Sequence, residues 1–109
     1  MHELGITQEI VMIAAEKAGR RKVRRVVVEI GRLTAVLPDA VRFCFDVCAE
    51  GTSVAGAELE IVEVAGRAQC KACRAEQRLE RPFGICACGH TDFDWLAGEE
   101  LRVTTVEVH

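Results

Sequence analysis

Residues 3 to about 19 repeat apolar side chains at helical spacing. Ile6, Ile10, Ile13 and Ala14 share a face, with Leu4, Val11, Ala15 and Ala18 beside it. Gly19, followed by Arg20, Arg21, Lys22 and Arg24, is a stop signal, because basic side chains suit the negative end of a helix dipole. The period then changes. From Val23 to Leu33 the run V-R-R-V-V-V-E-I-G-R-L is dense in β-branched residues and puts Val26, Val28 and Ile30 on one face, which predicts a strand. Leu37-Pro38-Asp39 opens a second helix, with Pro38 at the first helical position and Gly51 just past the end. Within it Val41, Cys44, Phe45 and Cys48 fall at i, i+3, i+4 and i+7. An i, i+4 cysteine pair can also hold a metal, but a stripe shared with Val41 and Phe45 assigns Cys44 and Cys48 to the core.

Residues 56 to 64 predict another strand, with Ala57, Leu59 and Ile61 alternating against Glu58 and Glu60 before Val62 and Val64 shift the phase. Residues 100 to 108 slip similarly: Leu101 and Val103 share one face, then Val106 and Val108 share the other. Bulges, or strands covered on both faces, would account for both slips. The predicted order is helix, strand, helix, strand, a cysteine-bearing segment, then a strand. That order implies an α/β fold: a small sheet of about three strands with two helices, residues 1–66 and 98–109, and an inserted zinc-ribbon-like module at 67–97.

The inserted segment carries Cys70, Cys73, Cys86 and Cys88 as C-K-A-C and C-A-C, twelve residues apart. Two thiolate pairs on facing turns can close a tetrahedron around Zn²⁺ and fold a segment too poor in apolar residues to fold alone. Residues 67 to 92 offer only Leu79, Phe83 and Ile85 as sizeable apolar side chains. A disulfide framework would need an oxidising compartment. The N-terminus has no charged region ahead of its apolar stretch Ile10–Ala15, and its first basic residue is Lys17, so a reduced, cytoplasmic protein is expected. A thioredoxin-like redox role for Cys70-Lys71-Ala72-Cys73 fits poorly, since this pair has a second pair to match and no strand-to-long-helix setting. The second pair is one residue shorter than the usual C-x-x-C, and His90, two residues on, is an alternative zinc ligand; the reading leaves that choice open.

Composition narrows the function classes. The chain has 109 residues, half of them apolar, and a net charge of −3. Nucleic-acid binding needs clustered cations to displace counterions from phosphates, and the one basic cluster, residues 20–25, reads as a solvated helix-to-strand junction. No phosphate-binding loop, nucleophile elbow or paired-carboxylate motif is present, and four cysteines leave no open position for a hydrolytic zinc, so no enzyme activity is expected. No partner nucleic acid or membrane is expected either.

The first residues hold different chemistry. The α-amine, the amide nitrogens after it and the His2 imidazole can form fused chelate rings, a nitrogen-rich square-planar set suited to Ni²⁺ or Cu²⁺. Amide nitrogens bind only after losing a proton, so such a site weakens in acid.

Several motifs now occur together and in order: the opening Met-His-Glu-Leu, the Ile-Gly-Arg-Leu of the first strand, and the helix Pro-Asp-Ala-Val-Arg-Phe-Cys-Phe-Asp. The turn Glu-Gly-Thr, the strand Ala-Glu-Leu-Glu-Ile, two cysteine pairs and the terminal Gly-Glu-Glu-Leu-Arg-Val complete the set. Over essentially its whole length the chain resembles the HypA/HybF family of hydrogenase-maturation nickel metallochaperones. The resemblance implies Ni²⁺ held by Met1 (amine), His2 (imidazole and amide) and Glu3 (amide, with its carboxylate as a further candidate). It implies structural Zn²⁺ on Cys70, Cys73, Cys86 and Cys88, with the C-A-C spacing departing from the family pattern. It also implies handover with a HypB-type nickel GTPase to a [NiFe] hydrogenase large-subunit precursor.

Overall fold

The structure, a computed structural model, describes residues 3–109. The elements run α1 (Glu3–Ala18), β1 (Val23–Gly31), α2 (Pro38–Ala49), β2 (Glu58–Val64), β3 (Gly66–Cys70), β4 (Glu76–Leu79), β5 (Phe93–Ala97) and β6 (Leu101–Val108). They form two three-stranded sheets, ordered β2-β1-β6 and β4-β3-β5. The chain divides into two compact units: Met1–Glu29, Val36–Val62 and Arg102–His109 form one, and Ile30–Ala35 with Glu63–Leu101 form the other.

In the first sheet β1 is central, which explains its composition. Val23, Val26, Val28 and Ile30 are all buried, and each fully buried aliphatic side chain contributes about 1.5–3 kcal/mol. Contacts of Arg102 with Glu29, Thr104 with Val27 and Arg24 with Glu107 run in opposite senses along β6 and β1, so these strands are antiparallel. Contacts of Arg25 with Glu60 and of Arg32 with Val64 run in the same sense, so β2 is parallel to β1, as a crossover through α2 requires. Both helices end where their glycines permit a left-handed residue: Gly19 has φ +64° and Gly51 φ +75°.

Helix α1 buries Ile6, Thr7, Ile10, Val11, Ala14 and Ala18, and packs on α2, which buries Val41, Phe45 and Ala49. Two expectations about these faces are corrected. Ile13 lies off the buried stripe and is exposed. Cys44 and Cys48 are only half-buried, not core, because the buried line of α2 follows the i, i+4 row through Val41, Phe45 and Ala49, and the cysteines sit on its flank. Burial and the neighbouring Cys44 push the Cys48 thiol up, which disfavours its thiolate. The predicted first strand also stops at Gly31, two residues early, where Thr34 N–H donates to the Gly31 carbonyl and turns the chain.

The basic cluster is largely spent within the fold. Arg24 pairs with Glu107, Arg25 with both Glu60 and Glu107, and Arg21 donates to the His109 carbonyl. No helix among the described residues is long and apolar enough to cross a membrane.

Candidate metal centre

The second sheet is built on β3, whose residues alternate Gly66, Ala68 and Cys70 inward against Arg67 and Gln69 outward. It pairs antiparallel with β4 (Ala68 opposite Gln77) and with β5 (Ala68 opposite Trp95, Cys70 opposite Phe93). A register shift between Arg67 and Ala68 sets the β5 pairing so that Phe93 and Trp95 share the inward face of Ala68 and Cys70. Ala68, Cys70, Cys86 and Phe93 form a small buried cluster, with Leu79 and Trp95 packed against it.

This corrects the expected apolar content of the segment. Phe83 and Ile85 are 65% and 72% exposed, whereas Phe93 is 5% exposed and its ring lies 5.9 Å from that of Trp95. The weight falls on residues just beyond the span first counted, because β5 returns beside β3.

Two turns carry the cysteines. After β3, the first turn is closed by Arg74 N–H donating to the Cys70 carbonyl (3.0 Å) and Cys70 N–H donating to the Ala75 carbonyl (2.9 Å). Arg74 adopts φ +65°, and its carbonyl accepts from Gln69 Nε2 at 3.1 Å. Lys71 ties this turn to the start of β5: its N–H donates to the Asp92 carbonyl (3.1 Å), and its ammonium pairs with Asp92 and Asp94. The second turn is closed by Gly89 N–H on the Cys86 carbonyl and by Cys86 N–H on the His90 carbonyl, both at 2.8 Å. That compact turn lets a C-x-C pair present both sulfurs together.

The four Sγ atoms of Cys70, Cys73, Cys86 and Cys88 all lie within 4.8 Å of one another. Cys70 and Cys88 approach to 3.6 Å and Cys73 and Cys86 to 3.5 Å. The edge of a tetrahedron with Zn–S bonds of about 2.3 Å is about 3.8 Å, so the set has the dimensions of a four-thiolate site. His90 Nδ1 lies 3.6 Å from Cys88 Sγ, beside the four-sulfur set. Cys70 and Cys86 are buried, and Cys73 and Cys88 are exposed. Solvent therefore reaches one side of the cluster.

The backbone prepares this cluster for a cation. The Cys73 amide holds the Cys70 thiol below its ordinary range, and the Cys88 amide brings Cys86 down to about 7. Cys88 receives the His90 amide, which favours its thiolate, yet sharing protons with Cys86 and burial together push it up to about 12. One sulfur is thus readily anionic while its neighbour keeps a proton, as expected of crowded thiols with no cation between them to offset their charge. The residues fit a thiophilic, tetrahedral ion.

Met1 and His2, two of the three residues assigned to nickel, lie outside the described residues. Glu3 is the first residue of α1. Its carbonyl accepts from Thr7 Oγ1 at 2.6 Å, and its carboxylate accepts from the Leu37 N–H at 3.4 Å. Sequence reasoning had no means of finding that last contact, which joins residues far apart in the chain.

Residues 1–108 match the family model described as hydrogenase/urease nickel incorporation, metallochaperone, hypA. The hydrogenase maturation factor HypA of Trichormus variabilis is 56% identical over 108 residues, covering 99% of this chain and 96% of the relative. That of Geotalea uraniireducens is 46% identical over 109 residues, covering 99% of each chain. Among solved structures, the Ni metallochaperone HypA from Helicobacter pylori superposes with a TM-score of 0.69 at 25% identity, covering 99% of this chain and 97% of that one. The chain therefore belongs to the HypA family of nickel-incorporation metallochaperones that serve hydrogenase maturation.

Proposed function

We propose that this protein binds Ni²⁺ through Met1, His2 and the backbone of Glu3 and delivers it to the large-subunit precursor of a [NiFe] hydrogenase. A HypB-type nickel GTPase is the partner in handover, and the setting is the cytoplasm. Supporting this reading are the family match over residues 1–108 and the chain's opening Met1-His2-Glu3. The convergence of the four module cysteines adds to it, because those sulfurs are the natural holders of a different ion.

Segregation by ligand type is the physical basis. Thiolates closed around Zn²⁺ exchange slowly and serve to fold the 67–97 module, while a set of amine, amide and imidazole nitrogens suits a square-planar ion. Delivery requires an ion held tightly enough to be kept from free solution yet removable by ligand exchange. Donors drawn from a chain end meet both needs, since a receiving site can replace them one at a time. The protein makes and breaks coordination bonds and no others, so its role is carriage rather than catalysis.

The test is a Ni²⁺ titration of untagged, zinc-loaded protein beside its His2→Ala variant, by calorimetry and visible absorption. One tight equivalent with a square-planar band, lost in the variant while zinc and fold remain, is the expected result. Equal and weak binding by both proteins would remove the N-terminal site.

A further inference from the structure

Helix α2 begins without a cap of its own. Its N-cap residue, Leu37, has an apolar side chain and makes no side-chain capping bond, and Pro38 in the first turn has no N–H. In a capping box, the residue three positions after the N-cap is Glu or Gln, which reaches back to the N-cap N–H. Here that residue is Ala40. The Leu37 N–H is nevertheless partnered, by the carboxylate of Glu3, 34 residues away in the chain and at the head of α1. Glu3 thus performs for α2 the half of a capping box that α2 lacks.

The same residue is secured at its other end. Thr7, fully buried, donates its hydroxyl to the Glu3 carbonyl at 2.6 Å. The carboxylate also lies in the first turn of α1 while meeting the start of α2, and the positive ends of both helix dipoles favour its charge. A carboxylate engaged in this way has a structural task that competes with metal ligation.

We infer that the Glu3 side chain is a positioning group: it fixes the first turn of α1 on the start of α2 and so fixes the residue to which Met1 and His2 are attached. This inference rests on the N-terminal nickel site proposed above and assigns the role of one member of it.

Glu3→Gln separates the roles, since it keeps an oxygen acceptor of the same reach for the Leu37 N–H but removes the anionic donor. The experiment titrates Ni²⁺ into zinc-loaded wild type, Glu3→Gln, Glu3→Ala and His2→Ala by calorimetry, with hydrogen exchange at the Leu37 amide read by NMR. Glu3→Gln should bind nickel within about twofold of wild type and keep Leu37 protected. Glu3→Ala should expose the Leu37 amide and weaken nickel roughly fivefold, the equivalent of one lost helix cap. If Glu3→Gln weakens nickel as much as Glu3→Ala while Leu37 stays protected, the carboxylate is a nickel donor and the inference fails. It fails equally if Glu3→Ala leaves both readouts unchanged. Retention of tight nickel by His2→Ala would instead dismiss the N-terminal site itself, a separate result.

Discussion

Replacing Phe93 by alanine should weaken zinc binding about a hundredfold. Phe93 is buried at one wall of the cysteine cluster, opposite Cys70 on β3, and among the described residues it shares that small buried cluster with Ala68, Cys70 and Cys86. Truncating a buried phenylalanine costs about 3–5 kcal/mol, and the lower end applies because two of the four cysteines face solvent and the site can relax. With a buried core this small, a bound zinc ion would have to supply the folding energy that the substitution removes. About 3 kcal/mol then corresponds to roughly two powers of ten in apparent affinity. The assay is competition for Zn²⁺ against a chromophoric chelator, read together with Trp95 emission; Trp95 is the chain's single tryptophan and packs on this cluster. Phe83→Ala is the control, because that ring is exposed and its loss should change affinity less than about twofold. Zinc affinity within threefold of wild type in Phe93→Ala, with Trp95 emission unaltered, would refute the coupling of this small core to the metal.

Other outcomes follow from close approaches and from the thiols. An alanine at Gly31 would place its Cβ 1.9 Å from the Gly98 carbonyl oxygen, held there by the bonds from Gly31 N–H to Glu100 and from Leu33 N–H to Gly98. Since backbone must move, Gly31→Ala should destabilise the protein by roughly 3 kcal/mol or more in urea unfolding, and a loss below about 0.5 kcal/mol would contradict the packing. In metal-free protein, ultraviolet thiolate absorbance should show an ionisation near 7, from Cys86, well ahead of that of Cys88. Folding lowers this pKa from the ordinary thiol value of about 8.5, so its stabilising contribution is complete above that value and is lost as pH falls through about 7. Metal-free protein should accordingly unfold more readily on acidification across that window, and the absence of any thiolate signal below about 8.5 would overturn the assignment to Cys86.

Much of the architecture was legible because it is written in local periods. Helices α1 and α2 each carry a stripe several turns long between recognisable start and stop residues, and β1 carries β-branched residues on alternate positions. The cysteine spacing was legible for a similar reason: chelation demands ligands close in sequence within each pair. The strands β3, β4 and β5 were not legible. The inward residues of β3 are Gly66, Ala68 and Cys70, too small to mark a hydrophobic period, and β4 is Glu-Gln-Arg-Leu.

By itself the sequence determined two helices, a short valine-rich sheet and two thiol pairs, since each depends on neighbours within a turn or a pleat, and it determined membership of the HypA family through motifs spread in order along the whole chain. Only the tertiary structure decided which side chains close the module, with Phe93 and Trp95 inside and Phe83 and Ile85 out. It also decided that Cys44 and Cys48 flank the core, and that Glu3 caps a helix 34 residues away. The reason is one of range. A local pattern states which residues share a face, whereas what that face meets depends on segments brought together from elsewhere in the chain.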